Sequence, residues 1–315
     1  MKRRTAKAGL VTLMLVGVGL FVVWVWMFPP EAAHVQAGVP AVSGEGLSLR
    51  VMSFNILNGK SGLHVASWDK RKASVADCIR DFGPDLLGTQ EVLDFQAEYL
   101  QSQLPGYGFV GVGRLDGKEK GEREGIFYRL DRFEKVREGH FWLSTTPDVP
   151  GSKSWLSWVP RMVSWVELRP RDGVGTFFFF NAHFDSLSIQ ARNRSATLLR
   201  QRMEAIAGGK PVIVVGDFNT YAGSATYQAV LKGPEVPGLQ LMDSYRTVYP
   251  QRAGNEGTYR FPGGLRMNRR LDWILCTPQF RALEAGIVTS KIDGRYPSDH
   301  FPVTAVLYLE PPSGG

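Results

Sequence analysis

The chain of 315 residues is 43% hydrophobic and 21% charged, which excludes a disordered or fibrous protein and permits a sizeable buried core. Its formal net charge is +7; Lys2, Arg3, Arg4 and Lys7 crowd the N-terminus, and Glu31 and Glu45 are the acids of the first 45 residues, so the remainder carries +5. That excess suits an anionic substrate but falls short of a nucleic-acid-binding signature.

Ala8 to Phe28 is an uncharged run behind a basic start, closed by Pro29-Pro30. As a helix it would reach about 30 Å, the thickness of a bilayer's hydrocarbon. Residues 1–28 therefore read as a cytoplasmic stub and transmembrane anchor, the positives holding the N-terminus inside and the rest lying across the membrane. A cleaved signal peptide is the alternative, with Val35-Gln36-Ala37 as a small-residue cleavage site and a secreted or periplasmic product. Residues 29–46, rich in Pro, Ala and Gly, read as a flexible linker. Residues 47–310 read as one domain, with 311–315 as a tail.

Within that domain, Leu47–Asn55 has the pattern of a strand. Ser67 is placed to cap a helix in which Val75, Cys78, Ile79 and Phe82 share a face and which Gly83-Pro84 ends. Leu86–Gln90 returns to strand, and Asp94 is placed to cap a helix carrying Phe95, Tyr99 and Leu100. Strands follow at Tyr107–Val112, Gly125–Tyr128, Phe133–Leu143, Arg161–Leu168 and Thr176–His183. A helix from about Ser188 to Ala207 buries Leu198, Leu199, Met203 and Ile206. The last strands are Val212–Val215, Leu271–Leu275, Ile287–Lys291 and Val303–Leu309. Several neighbouring strands lack an intervening helix, which favours an α+β fold of packed sheets covered by helices over a doubly wound parallel sheet. Cys78 and Cys276 lie in apolar segments and read as buried thiols; two cysteines make neither a disulfide framework nor a cysteine-only zinc site.

Acids, amides and histidines recur at the ends of apolar strands: Asn55, Glu91, His183 with Asp185, Asp217 with Asn219, Asp272, and Asp299-His300. Unpaired buried carboxylates are costly, so these ends are expected to converge on a cation or a positively charged partner. No HExxH or GxSxG occurs, and Gly111-Val112-Gly113 lacks the later glycine of a dinucleotide loop, so a zincin protease, an esterase elbow and a nucleotide-cofactor fold lose support.

The segments Met52–Leu57, Thr89-Gln90-Glu91, Ile126–Arg129, Asn181–Asp185, Gly216–Asn219, Arg270–Trp273 and Pro297–Val303 stand in one order along the chain. Together they resemble the endonuclease/exonuclease/phosphatase superfamily, over roughly residues 48–308. The resemblance implies a four-layer α/β/β/α sandwich of two packed mixed sheets flanked by helices. It also implies a phosphoester hydrolase, phosphodiesterase- or nuclease-like, dependent on Mg²⁺ with Mn²⁺ as substitute.

By that resemblance Glu91, Asn55 and Asp299 hold metal, and Asp217 orients or deprotonates the attacking water. His300 contacts the phosphoryl group with Asp272 behind it, and His183 is the second histidine with Glu122 steadying it. Asn219, Tyr128, Arg161 and Asp185 contact substrate or phosphate. A non-catalytic binding protein that kept the fold would have lost an acid or a histidine, and none is missing.

The substrate stays open between nucleic acid and a phospholipid or other small phosphodiester. Trp155, Trp158, Arg161, Tyr259, Arg260, Arg266, Arg269 and Arg270 could line a groove for a sugar-phosphate backbone. The N-terminal segment would instead hold the domain beside lipid headgroups, and no obligate protein partner is inferred.

Overall fold

The computed structural model describes residues 46–61, 66–173, 175–234, 236, 238–262 and 264–311. The expected membrane segment and nearly all of the expected linker lie outside these residues. Among the described residues no helix is long and apolar enough to cross a membrane.

The described residues form twelve strands and five helices, with β3 to β7 and β10 to β12 following one another without an intervening helix. The first sheet contains β1 (Leu47–Asn55), β2 (Leu86–Val92), β3 (Tyr107–Val110), β4 (Arg123–Arg129), β11 (Phe280–Ile287) and β12 (Val303–Leu309), in the order β11-β12-β1-β2-β4-β3. The second contains β5 (Phe133–Trp142), β6 (Met162–Pro170), β7 (Phe177–His183), β8 (Val212–Asp217), β9 (Met242–Asp243) and β10 (Asp272–Cys276), in the order β5-β6-β7-β8-β10-β9. Each sheet is mixed: β1 and β2 run parallel, as do β7 and β8, and the other pairings are antiparallel.

The inner faces pack together through Val51, Leu86, Ile126, Phe177, Phe179, Ile213, Val215, Ile274 and Leu307, all fully buried. Helices α1 (Trp68–Phe82) and α2 (Asp94–Gln103) cover the outer face of the first sheet, where Val75, Ile79 and Leu100 meet Met52, Phe54 and Leu87. Helices α3 (Ile189–Ala207) and α4 (Ala225–Lys232) cover the second sheet, where Leu199, Met203 and Val230 meet Phe178, Phe180 and Val214. The two mixed sheets and their covering helices form the α/β/β/α layering expected.

The layers are also joined by polar bonds. Gln90 Nε2 donates to Asn181 Oδ1 at 2.7 Å, and Asn181 Nδ2 donates to the carbonyls of Thr89 and Gly125, each at 2.8 Å. These bonds tie β7 to β2 and β4 across the gap. A Cβ on Gly88 would lie 2.3 Å from Val215 and 3.0 Å from Asn181, so only glycine lets the sheets approach there.

Local differences from the sequence reading have physical causes. The strand expected at Ile287–Lys291 is instead β11, ending at Ile287. Its middle residues are only half buried and a bulge interrupts it between Ala282 and Glu284, so the apolar alternation that marks a strand is blurred. Asp94 begins α2 rather than capping it, and Phe95 is exposed. Ser67 stands at the cap of α1 without a side-chain bond to it. Helix α4, β9 and helix α5 (Ser244–Val248) are additional elements.

Candidate active site

The sheet pairings bring chemistry-bearing residues to one edge of the sandwich. Parallel pairing sets His183 opposite Asp217, and antiparallel pairing sets Asp272 on the other side of Asp217. Gly216 makes this possible: its φ is 156°, and a Cβ there would lie 2.0 Å from the Ala182 carbonyl oxygen. Parallel β1 and β2 bring Asn55 and Glu91 to the same edge of the other sheet. Glu91 stands in a β2 irregularity with φ 62°, a left-handed conformation that costs backbone energy and re-aims its carboxylate.

Asn55 bridges the sheets. Its Nδ2 donates to Glu91 Oε1 and to Asp217 Oδ2, both at 3.0 Å, while its Oδ1 accepts from the Leu57 backbone N–H. The other Glu91 oxygen accepts from the Asn58 N–H at 3.0 Å. Behind them the buried Arg71 donates to the carbonyls of Ile56, Leu57 and Pro297, fastening the β1–α1 loop to the segment that carries Asp299. Burial lowers this guanidinium to about 10, against the raising effect of Asp299 and Glu91. As a charged residue in a charged helix, Arg71 gave no sequence signal for such a role.

Two histidines flank Asp217 with opposite electrostatics. His300 Nδ1 meets Asp272 Oδ2 at 2.9 Å, and its Nε2 lies 3.6 Å from Asp217 Oδ2. Burial works against its protonation, but Asp272, Asp217 and Asp299 together raise it well above the ordinary histidine range. His183 is held well below that range by burial, then by Arg161, Arg114 and His300. Arg161 Nη1 lies 2.9 Å from His183 Nε2. Arginine has no acceptor, so Nε2 accepts and the neutral imidazole carries its proton on Nδ1. Asn219 Nδ2 also lies 3.1 Å from Nε2 and donates to the Phe184 carbonyl at 3.0 Å, while the Asn219 backbone N–H donates to Asp217 Oδ1 at 2.9 Å.

A cleft of about 1000 Å³ opens over this edge, and Glu91, Arg161, His183, Asp217, Asn219, Asp299 and His300 are among its walls. Asn55 and Asp272 stand immediately behind them. Three other expected site residues lie elsewhere. Tyr128 is buried in the core between the sheets, because its place on β4 points it inward with Ile126. Asp185 is enclosed by bonds from Ser157 Oγ and the N–H groups of Leu187 and Ser188, and lies 3.9 Å from Arg161; it positions that arginine and the start of α3 rather than facing a phosphate.

Glu122 binds Asn58 Nδ2 at 2.7 Å and the Arg114 guanidinium, not His183. Asp217 Oδ2 lies 3.5 Å from His183 Nε2, and the acid beside Nδ1 is Glu124, whose Oε1 lies 4.0 Å away. Glu122 stands just before β4, whereas Glu124 is its second residue and is fully buried. Burial pushes its carboxyl up to about 8, against Arg114, and neither of its oxygens has a hydrogen-bond partner among the described residues. It sits in a charged stretch that reads as solvated surface, which hid it from the sequence reading.

The profile of the Endonuclease/Exonuclease/phosphatase family matches residues 52–300. The chain belongs to that family. Among solved structures it is similar to an endonuclease/exonuclease/phosphatase family protein from Bacteroides thetaiotaomicron, at 35% identity and TM-score 0.75, over 84% of this chain and 99% of that one. It is similar to the mannosyl-6-phosphatase of the same organism at 36% identity and TM-score 0.72, over 82% and 99%. A Bacteroides vulgatus member aligns at 31% identity and TM-score 0.73, over 84% and 100%. No curated protein matches.

As a member of the endonuclease/exonuclease/phosphatase family the chain is a phosphoester hydrolase, and such enzymes are generally dependent on a divalent metal. The donor set fits a hard cation. Glu91, Asp217 and Asp299 line one cleft with Tyr259, whose hydroxyl is pushed upward by burial and then by these carboxylates. Asp217, Asp272 and His300 also offer ligand atoms within 4.8 Å of one another. His300 and Asp272 already satisfy each other through Nδ1, however, so that trio reads as a proton-handling group. Glu91 and Asp299 offer the cleft carboxylate oxygens of the kind a hard divalent cation takes.

Proposed function

We propose that the protein hydrolyses the phosphoester bond of a small phosphorylated molecule, such as a sugar phosphate, with Mg²⁺ as the natural ion. The observation that carries this reading is a cleft of about 1000 Å³ whose acids, histidines and Arg161 surround Asp217. That volume matches small-molecule sites, typically about 300–1000 Å³. The similarity to a mannosyl-6-phosphatase supports it.

Glu91 and Asp299, with Asn55 alongside if its amide turns, would hold the ion, which when bound supplies charge neutralisation at the phosphate. Asp217, raised by burial against the pull of His300, orients the attacking water and takes its proton. The new oxygen–phosphorus bond forms as the ester oxygen–phosphorus bond breaks, and the alkoxide leaves as the alcohol once protonated. His300, held in its imidazolium form, offers Nε2–H to the phosphoryl oxygens or to the leaving oxygen. Arg161 and Asn219, both anchored on His183, present donors to the same group.

The test is a panel of sugar phosphates, nucleotides, single-stranded DNA, RNA and bis-p-nitrophenyl phosphate with Mg²⁺, Mn²⁺ or EDTA. Hydrolysis of a small phosphate at least tenfold faster than of nucleic acid, abolished by EDTA and by Asp217→Ala, is expected. Equal rates for Asp217→Ala and the parent would overturn the assignment.

A phospholipid headgroup is the second reading, favoured by an apolar rim. Leu156 and Trp158 are 79% and 77% exposed, and Leu187 and Ile189 are also exposed. Ser188 Oγ donates to the Trp155 carbonyl at 2.8 Å, tying this loop to the side of the cleft that Leu187 lines. With it goes the proposal that residues 8–28 anchor the chain and leave the domain across the membrane. Recovery of the intact protein in the membrane fraction, protease-accessible from outside, would support it; a soluble cytoplasmic product would refute it.

A further inference from the structure

Besides its acids and histidines, the cleft is lined by Arg192, Arg252 and Arg269. Elsewhere in this region arginines are matched with acids, as Arg270 is with Asp243 and Arg246 with Glu256. Among the described residues none of the three cleft arginines is paired with a carboxylate. Each is instead held in place by contacts that leave guanidinium donors unused. Arg192 Nη1 donates to the Asp185 carbonyl at 2.9 Å, while its buried Nε has no partner. Arg252 Nη2 donates to the Asn268 carbonyl at 2.7 Å. The Arg269 guanidinium stacks over the Tyr221 ring, 3.9 Å from its centroid, which fixes its plane and leaves its N–H edge free.

Like charges lining one cleft repel one another, and a bound anion offsets that repulsion. Guanidinium forks suit a phosphate or carboxylate because each can donate two parallel hydrogen bonds. We infer that Arg192, Arg252 and Arg269 form a subsite for a second anionic group of the substrate, whose scissile phosphate lies among the acids and histidines. The preferred substrate class is thus a small phosphoester bearing a further phosphate or carboxylate, such as a sugar bisphosphate. This inference rests on the phosphoester-hydrolase reading of the same cleft.

Two measurements on the full chain in non-ionic detergent separate the inference from the reading beneath it. In EDTA, fructose 6-phosphate binding followed by ³¹P NMR titration, compared between the parent and the variant, reports what Arg252 and Arg269 contribute. Affinity is expected to fall at least tenfold in the double variant Arg252→Gln/Arg269→Gln. Both positions are exposed, and an unchanged melting temperature would show that the variant folds. With Mg²⁺, kcat/KM for fructose 1,6-bisphosphate should exceed that for fructose 6-phosphate at least tenfold, and the ratio should fall toward one in the double variant. Equal anion affinity in the two proteins would overturn the subsite, as would a parent ratio near one. Absence of any turnover would count against the hydrolase reading alone, because anion binding in EDTA still decides the subsite.

Discussion

Arg161 reaches His183 rather than a carboxylate: its Nη1 lies 2.9 Å from the imidazole Nε2, and its closest acid, Asp185, is 3.9 Å away. A cation resting on a neutral imidazole keeps most of its charge for a ligand, and after burial it is the main influence that disfavours protonation of His183. Arg161→Met should therefore lower kcat/KM by about a hundredfold or more, on the order of 3 kcal/mol of transition-state stabilisation. In the parent, ¹H–¹⁵N spectra should show His183 protonated at Nδ1 only. His183 found doubly protonated at pH 7 would contradict this arrangement.

His300 depends on the opposite circumstance. Its 2.9 Å bond to Asp272 fixes the ring and favours the imidazolium. Asp272→Asn should leave the fold intact and reduce kcat by roughly 10–100-fold, the usual effect of removing the carboxylate behind a functional histidine. Matched melting curves with unequal steady-state rates would be the expected pair of results; a kcat within twofold of the parent would count against the role.

Glu124 supplies a pH prediction about stability. Its carboxyl is raised to about 8 in the fold, from an ordinary value near 4.5, mainly by burial. A raised group contributes stability that is full below the unfolded value and is lost as pH climbs through the folded one. Stability from this source should thus decline between about pH 4.5 and 8, with a slope of up to ~1.4 kcal/mol per pH unit. Glu124→Gln, neutral and of similar shape, should remove that decline and be the more stable protein at pH 8. Urea unfolding at pH 5, 6.5 and 8 measures it, and parallel pH profiles for the two proteins would refute it.

Gly216→Ala should be among the most damaging single changes. The added methyl would sit 2.0 Å from the Ala182 carbonyl oxygen, in the last-but-one pair of the β7–β8 ladder. A loss of about 3 kcal/mol or more is expected, above the ordinary overpacking range because backbone must move. Thermal unfolding is the readout, and a shift of under 2 °C would be incompatible with the packing described.

The polar residues at the ends of apolar strands were legible in the sequence, since Asn55, Glu91, His183 and Asp217 end or follow apolar runs and His300 stands just before the last one. What escaped were residues whose surroundings come from distant segments. Glu124 looks like surface because its neighbours in the chain are charged, yet the second sheet covers it. Tyr128 belongs to a site motif, but strand parity turns it into the core. Arg270 looked like part of a basic groove and is buried against Asp243, an acid 27 positions away whose partner no local pattern reveals. Helix α4 is eight residues long, too short for periodicity to stand out.

The bond from Asn55 on one sheet to Asp217 on the other, and that from His300 to Asp272, both span the seam of the sandwich. The reacting constellation is in effect a vernier for how the two halves are aligned, and a slip of an ångström would separate the acids from the histidines. Under mild denaturation catalysis should consequently fade while the backbone still gives a native far-ultraviolet spectrum, making turnover a more sensitive gauge of interlayer alignment than any measure of strand content.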